Sequence, residues 1–244
     1  MNKTMYLLLI LVLVLGACSK ANENMVILTE NYPPLSYIED GEVTGFGSDV
    51  VNAMQAELGT AYPIQMKSWD EAYTTALTEA NVLLFTMDRT QEREDDFHFI
   101  GPLGSNVASF YANSNKIISP MNLEEARTVA AIGTTTNWFT EQFLLEKGFT
   151  NLISKADPLQ TIQLLADEEV ELAVFTDVTL PELCHEAEVD PQSFTAVLEL
   201  LSSDYYIAIS KKTPSATVQK WQKAFEQIQT NGKLEELRGK WFGQ

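Results

Sequence analysis

The chain has 244 residues, 45% hydrophobic and 20% charged, and its 34 acidic residues outnumber 16 basic ones for a net charge of −18. That composition fits one large domain or two lobes and argues against disorder. Nucleic-acid phosphates and anionic lipid headgroups both require a basic face, so neither is the expected partner of this chain.

Residues 1–17 read as a leader: Lys3 supplies a positive start and Tyr6 to Leu15 is an unbroken apolar run. The run is too short for a hydrocarbon core of about 30 Å but suits a signal peptide. It ends Leu15-Gly16-Ala17-Cys18, which resembles the bacterial lipobox. Cys18 would then be lipidated and become the new N-terminus, anchoring the chain on the periplasmic side of the cell envelope. An ordinary secretory signal followed by a chance cysteine is the alternative. The position of the cysteine, where the apolar run stops, favours the lipobox. Residues 18–24 form a polar tether, and Ser19 favours the outer over the inner membrane without settling the choice. Cys184 remains as the mature chain's single thiol, so an intramolecular disulfide is excluded and a packed, inert thiol is expected.

Strand and helix signals alternate through the rest of the chain. Met25–Leu28 reads as a buried strand, and Ser48 as the cap of a helix with Val50, Met54 and Leu58 on one face. A strand over Ile64–Met66, a helix over Glu71–Thr78 and a buried strand over Asn81–Thr86 follow. Val107–Ala112 reads as a strand. Thr128–Ile132 leads into Gly133-Thr134-Thr135-Thr136 at an expected strand-to-helix junction, with helix through Lys147. Asp157-Pro158 marks a helix start, running to about Glu168. Leu172–Phe175 is a strand, Leu180–Ala187 a helix and Tyr205–Ser210 a strand. Ser215–Thr230 is a helix stopped by Asn231-Gly232, and a last helix ends at Trp241-Phe242-Gly243. Such alternation predicts an α/β fold with largely parallel sheets.

Catalytic motifs are mostly missing. There is no P-loop, the Gly45-Phe46-Gly47 start lacks the third glycine of a dinucleotide fingerprint, and His185-Glu186 has no second histidine after it. No metal or cofactor is implied.

Four segments carry candidate chemistry. Glu30-Asn31-Tyr32-Pro33-Pro34-Leu35-Ser36-Tyr37 follows the first strand, where Tyr32 could offer an aromatic wall. Phe85-Thr86-Met87-Asp88-Arg89-Thr90-Gln91-Glu92-Arg93 follows a buried strand, at the end where open α/β sheets bind ligands; its arginines are either surface charges or a carboxylate clamp. The Gly133–Thr136 turn offers free amides for an anion, or a plain helix cap. Asp177, after Phe175-Thr176, could take an ammonium group or cap the next helix.

Together these segments resemble the type II periplasmic solute-binding proteins of polar amino acid ABC importers. The resemblance rests on YPPLSY…DGEVTGF, TQER before Asp95, Asp96 and Phe97, VAAIGTTT, ELAVFTD and the tail FEQIQTNGKLEELRGKWFG, and spans nearly the whole mature chain. It implies a two-lobed α/β clamshell with each lobe a mixed, mostly parallel sheet flanked by helices. Lobe one would comprise 25–107 and 206–244 and lobe two 108–205, with hinge crossings near Val107–Phe110 and Leu201–Tyr206. By similarity, Arg93 would take a ligand carboxylate with help from the Thr135 backbone, and Asp177 the α-ammonium. Asp88 falls where the family has a ligand-touching serine or threonine, beside Thr86. Tyr32, Phe85, Trp69 and Trp138 would line the cleft, and neither Arg93 nor Asp177 is expected to be core. The chain departs from the pattern at Gly47, where aspartate is common, in TEANVLLFTMD, which replaces the usual glycine-and-aspartate run before this buried strand, and at Asp88, an unusual acid beside the binding arginine.

The reading is a monomeric, lipid-anchored receptor that captures a small amphoteric ligand, an amino acid or related compound, for an ABC permease. An enzyme on the same scaffold, such as a prephenate or arogenate dehydratase, would need a general acid, for which Asp88 or Glu30 could serve. A sensor reporting to a membrane kinase is the third possibility.

Overall fold

The computed structural model describes residues 24–243. The expected leader, Cys18 and the tether as far as residue 23 lie outside the described residues. Strand β1 (Val26–Thr29) is followed by a compact loop and a small hairpin, β2 (Tyr37–Glu39) and β3 (Glu42–Thr44), turning at Asp40 and Gly41. Helix α1 (Phe46–Leu58) starts at Gly45, three residues before the expected cap. The Ser48 hydroxyl bonds back to the Thr44 carbonyl at 3.1 Å and caps nothing. Gly45 is required there: its φ is +118°, and a Cβ would lie 2.5 Å from the Leu35 carbonyl oxygen.

Strand β4 (Ile64–Met66) leads to α2 (Trp69–Thr78), capped by Ser68, and then to β5 (Val82–Asp88), buried at every position. The next strand, β6, runs through Phe97–Asn113, far longer than the expected Val107–Ala112. A short helix α3 (Leu123–Ala126) precedes β7 (Ile132–Thr135). Gly133, Thr134 and Thr135 therefore lie within the strand. Helix α4 (Phe139–Glu146) begins only after Trp138, so the Thr135 amide is not at a helix N-terminus as expected. Strand β8 (Leu152–Lys155) follows, and then α5 (Pro158–Ala166), where Asp157 accepts from the Leu159 amide and proline opens the first turn as expected. Strand β9 (Leu172–Thr176), α6 (Leu180–Glu186) and the second long strand β10 (Phe194–Ser210) complete the sheet. Helices α7 (Ser215–Thr230) and α8 (Lys233–Phe242) end the chain.

One eight-stranded sheet runs β4-β1-β5-β10-β6-β9-β7-β8. At one end β4, β1 and β5 are parallel; at the other β9, β7 and β8 are parallel. The antiparallel pair β6–β10 joins them, paired from Phe194 with Asn113 to Ser210 with Phe97. The result is the expected α/β fold of two lobes, each a mixed sheet with helices against it. The predicted crossings fall inside β6 and β10.

The larger core packs Trp221, Phe225 and Ile228 of α7 with Met54 of α1 and the β1 and β5 side chains. A smaller one gathers Phe110, Ile132, Leu144, Phe149, Leu172 and Val174. Each fully buried side chain of this size contributes about 1.5–3 kcal/mol. Cys184 is buried and unpaired, and burial pushes its thiol up to about 11, which fits an inert packing role.

Candidate ligand-binding site

Strand ends from both halves of the sheet converge on one buried polar cluster. Its centre is Arg93, in a short turn after β5, only 1% exposed and thus core, contrary to expectation. Its Nη1 donates to the Asp88 carbonyl at 3.1 Å, and Nη2 to the Asn137 carbonyl at 3.3 Å and Gln142 Oε1 at 3.0 Å. The guanidinium lies over the Trp69 ring at 4.9 Å and the Tyr73 ring at 5.3 Å. Its Nε is buried without a partner. Contacts with Asn137 and Gln142 tie the first lobe to the second.

Two carboxyls flank this cation. Glu30, at the carboxyl end of β1, is buried, and its Oε2 accepts from the Trp138 indole N–H at 2.8 Å. Burial pushes its carboxyl up to about 8, although the Trp138 bond and Arg93 pull the other way. Asp88 closes β5, and its Oδ1 accepts from Asn106 Nδ2 of β6 at 2.9 Å. Burial again dominates and pushes it up to about 6, against bonds from Asn106 and Ser203 and the charge of Arg93. Two acids around one guanidinium leave an excess of negative charge out of water, and the raised pKa values are the response.

Aromatic side chains enclose the cluster. Tyr32 meets Trp138 edge-on at 5.1 Å, and its hydroxyl is 3.3 Å from Thr176 Oγ1 in the opposite lobe. Trp69 donates its indole N–H to the Asn137 carbonyl at 2.7 Å. Phe85 and Thr86 are buried just before Asp88. Beside Glu30 and Trp69 opens a cavity of about 360 Å³, lined also by Asn31, Lys67, Asp157 and Glu186.

Arg93, Asp88, Tyr32, Trp69 and Trp138 are thus brought to one place, with Phe85 and Thr86 behind. Asp177 is placed differently. It is exposed, and its Oδ1 accepts from the Val107 amide at 2.8 Å while its own amide donates to the Val107 carbonyl at 3.0 Å. Thr135 is buried in β7, with its hydroxyl 3.4 Å from that of Thr161. Arg89, the other candidate clamp, is exposed, paired with Glu94, and stacked on Phe99 and Tyr206. Sequence reasoning missed Asn106, Asn137 and Gln142 and considered Glu30 only as an acid catalyst. The rule that ligands sit beyond strand carboxyl ends would have found Glu30, the residue after β1.

Two α/β lobes joined by paired crossing strands, with a buried charged cluster between them, define a two-lobed solute-binding protein. Residues 25–244 match the bacterial extracellular solute-binding proteins, family 3, and the chain belongs to that family. It is similar to an arginine-binding extracellular protein, ArtP, of Bacillus subtilis (strain 168), 23% identical over 87% of this chain and 83% of the relative. A putative ABC transporter arginine-binding protein 2 of Escherichia coli (strain K12) is 23% identical over 91% and 92%. Among solved structures, a histidine kinase sensor domain with similarity to periplasmic binding proteins superposes with a TM-score of 0.81 at 17% identity, covering 90% of this chain and 96% of that one. The arginine-, lysine-, histidine-binding protein ArtJ of Geobacillus stearothermophilus gives 0.75 at 17% identity, over 91% and 96%. Among the described residues no helix is long and apolar enough to cross a membrane.

Proposed function

We propose that this protein captures a cationic amino acid between its lobes and presents it to the permease of an ABC importer, as a monomer lipid-anchored through Cys18 outside the cytoplasm. The observation that carries the ligand class is the pairing of two buried carboxyls, Glu30 and Asp88, with the single buried guanidinium of Arg93. With both carboxyls ionised, a ligand with one carboxylate and two cationic groups balances that set. Arg93 takes the carboxylate, for which its planar fork is suited. Asp88 takes the α-ammonium and Glu30 the distal cation, with Trp69 along the side chain. Asp177, at the crossing, holds the β6 backbone. Arginine-binding relatives support the same class. The lobes hinge about β6 and β10 near Val107 and Leu201, so closure compacts the molecule without changing its secondary structure.

A thermal-shift and calorimetric series over L-arginine, L-lysine, L-glutamine, L-glutamate and agmatine tests this. A ligand at 100 times its dissociation constant adds about 2.7 kcal/mol of stability. Arginine or lysine should bind most tightly and agmatine, lacking the carboxylate, poorly. Tighter binding of glutamine or glutamate would sink the assignment. Turnover of prephenate or arogenate would favour an enzyme in place of a receptor.

A further inference from the structure

Two of the places where the sequence departs from its family resemblance, Gly47 and Asp88, are joined by a single backbone device. Along β10 the step from Tyr206 to Ile207 is matched on β5 by the step from Met87 to Phe85. Thr86 is therefore the extra residue of a β-bulge. Its φ is +63°, a conformation that glycine adopts freely and a β-branched residue resists. Its hydroxyl donates to the Phe85 carbonyl at 2.6 Å, which closes the bulge locally.

In a regular strand Phe85 and Thr86 would face opposite sides of the sheet. Here both lean toward α1. A Cβ placed on Gly47 would lie 2.8 Å from Thr86 Cγ2 and 2.9 Å from Phe85 Cδ2, closer than real side chains approach. The bulge thus occupies the space that any other residue at 47 would need. One inserted residue also inverts the alternation of everything after it. Asp88, two residues on, turns to the face where Asn106 of β6, the register partner of Ser203 on β10, donates to it.

We propose that Thr86 and Gly47 form a positioning pair: the Thr86 bulge, admitted because residue 47 has no side chain, turns Asp88 into the interlobe cluster and so sets the preference for a cationic ligand. The ligand half of this inference rests on the function proposed above; the positioning half does not. A backbone outlier for a branched residue beside a buried acid is the kind of strain that marks a site and not a packing accident.

The test reads affinity for L-arginine by calorimetry and, without ligand, the titration of Asp88 by carboxyl 13C NMR. Gly47→Ala should weaken binding at least tenfold and bring the Asp88 titration from about 6 back toward the ordinary aspartate range. Adding Thr86→Gly to Gly47→Ala should recover much of both effects, because glycine gives up the Cγ2 contact and accepts the positive φ. Should Gly47→Ala fail to fold, Thr86→Val, which removes the closing hydroxyl at nearly constant shape, should move both readouts in the same direction. A folded Gly47→Ala or Thr86→Val protein with wild-type affinity and wild-type Asp88 titration overturns the proposal. So does lost affinity with the Asp88 titration unmoved, since Thr86 would then touch the ligand itself. A wild-type protein that ignores arginine, with the Asp88 titration shifting in the variants as stated, removes the ligand reading and carries the positioning pair.

Discussion

Trp138 and Glu30 stand 108 residues apart in the chain and meet across the lobe interface, indole N–H to carboxyl oxygen at 2.8 Å. The contact joins the halves of the clamshell through a carboxyl whose charge depends on pH. Burial raises Glu30 from an ordinary 4.5 to about 8, and Asp88 from 3.8 to about 6. Both groups bind protons more tightly in the folded, closed arrangement than in water. Their contribution is therefore complete below about pH 4 and is lost as pH rises through 6 and then 8. The melting temperature without added ligand should fall across this window, beyond what the surface acids cause. Glu30→Gln should flatten the upper part of the fall and Asp88→Asn the lower. A Glu30→Gln protein with the wild-type slope between pH 6 and 8 would show that Glu30 is not buried as described.

Arg93 holds structure and ligand together, so its charge and its shape need separate tests. Arg93→Ala leaves the neighbouring acids without their cation and should destabilise the fold by about 3–5 kcal/mol. Arg93→Lys keeps the charge but loses the planar fork and its stacking on Trp69 and Tyr73. That variant should fold and bind arginine on the order of a hundredfold more weakly, about 2.7 kcal/mol. Full affinity in Arg93→Lys would rule out a forked contact with the carboxylate.

The ammonium acid can be decided by comparing two aspartates. Asp88 is buried beside Arg93, while Asp177 is exposed and occupied with the Val107 amide. Asp88→Asn should cost roughly a hundredfold in affinity, since it removes a buried counter-charge. Asp177→Asn should cost less than tenfold. The reverse order, measured by calorimetry with arginine, would place the ammonium at Asp177 as the family resemblance implies.

Cys18→Ser tests the anchor. Two or more acyl chains hold a protein stably on a bilayer, whereas one does so only marginally. The variant should lose the lipid mass and move from the membrane to the soluble fraction. Unchanged mass and fractionation would end the lipobox reading.

The sequence was most legible where the signal is local. Helix α7 spans Ser215–Thr230 as read, because its apolar face and the Asn231-Gly232 stop lie within the segment itself. Asp157-Pro158 likewise carries its own cap. The long strands were read only in part. Gly101, Pro102 and Gly104 interrupt β6 with residues that normally break strands, and Ser202, Ser203 and Asp204 do the same in β10. Pairing of Gly104 with Tyr205 and of Ser202, Ser203 and Asp204 with Val107, Asn106 and Ser105 carries the strands through, while Gly101 and Pro102 stand in a register shift between Ile100 and Gly104. In the site, Arg93 and Asp88 stood out beside a buried strand, but Asn137 and Gln142 reach Arg93 from more than forty residues away, through a helix start that has no side-chain cap. The Thr86 bulge could not be read at all, since the space it fills is left open by Gly47, which belongs to another element.

The place of β10 in the sheet also governs when the protein can fold. It lies between β5 and β6, yet it is the last strand in the chain, complete only at Ser210. Until it is made, β5 and β6 each present an unfilled edge toward the other, and neither lobe has a finished sheet. Domains made early in a chain ordinarily fold as they emerge. This one has its keystone near the end, so a nascent chain stays open until almost all of it exists. For a member of a family of extracellular proteins, such late closure would leave the chain threadable while it is being made.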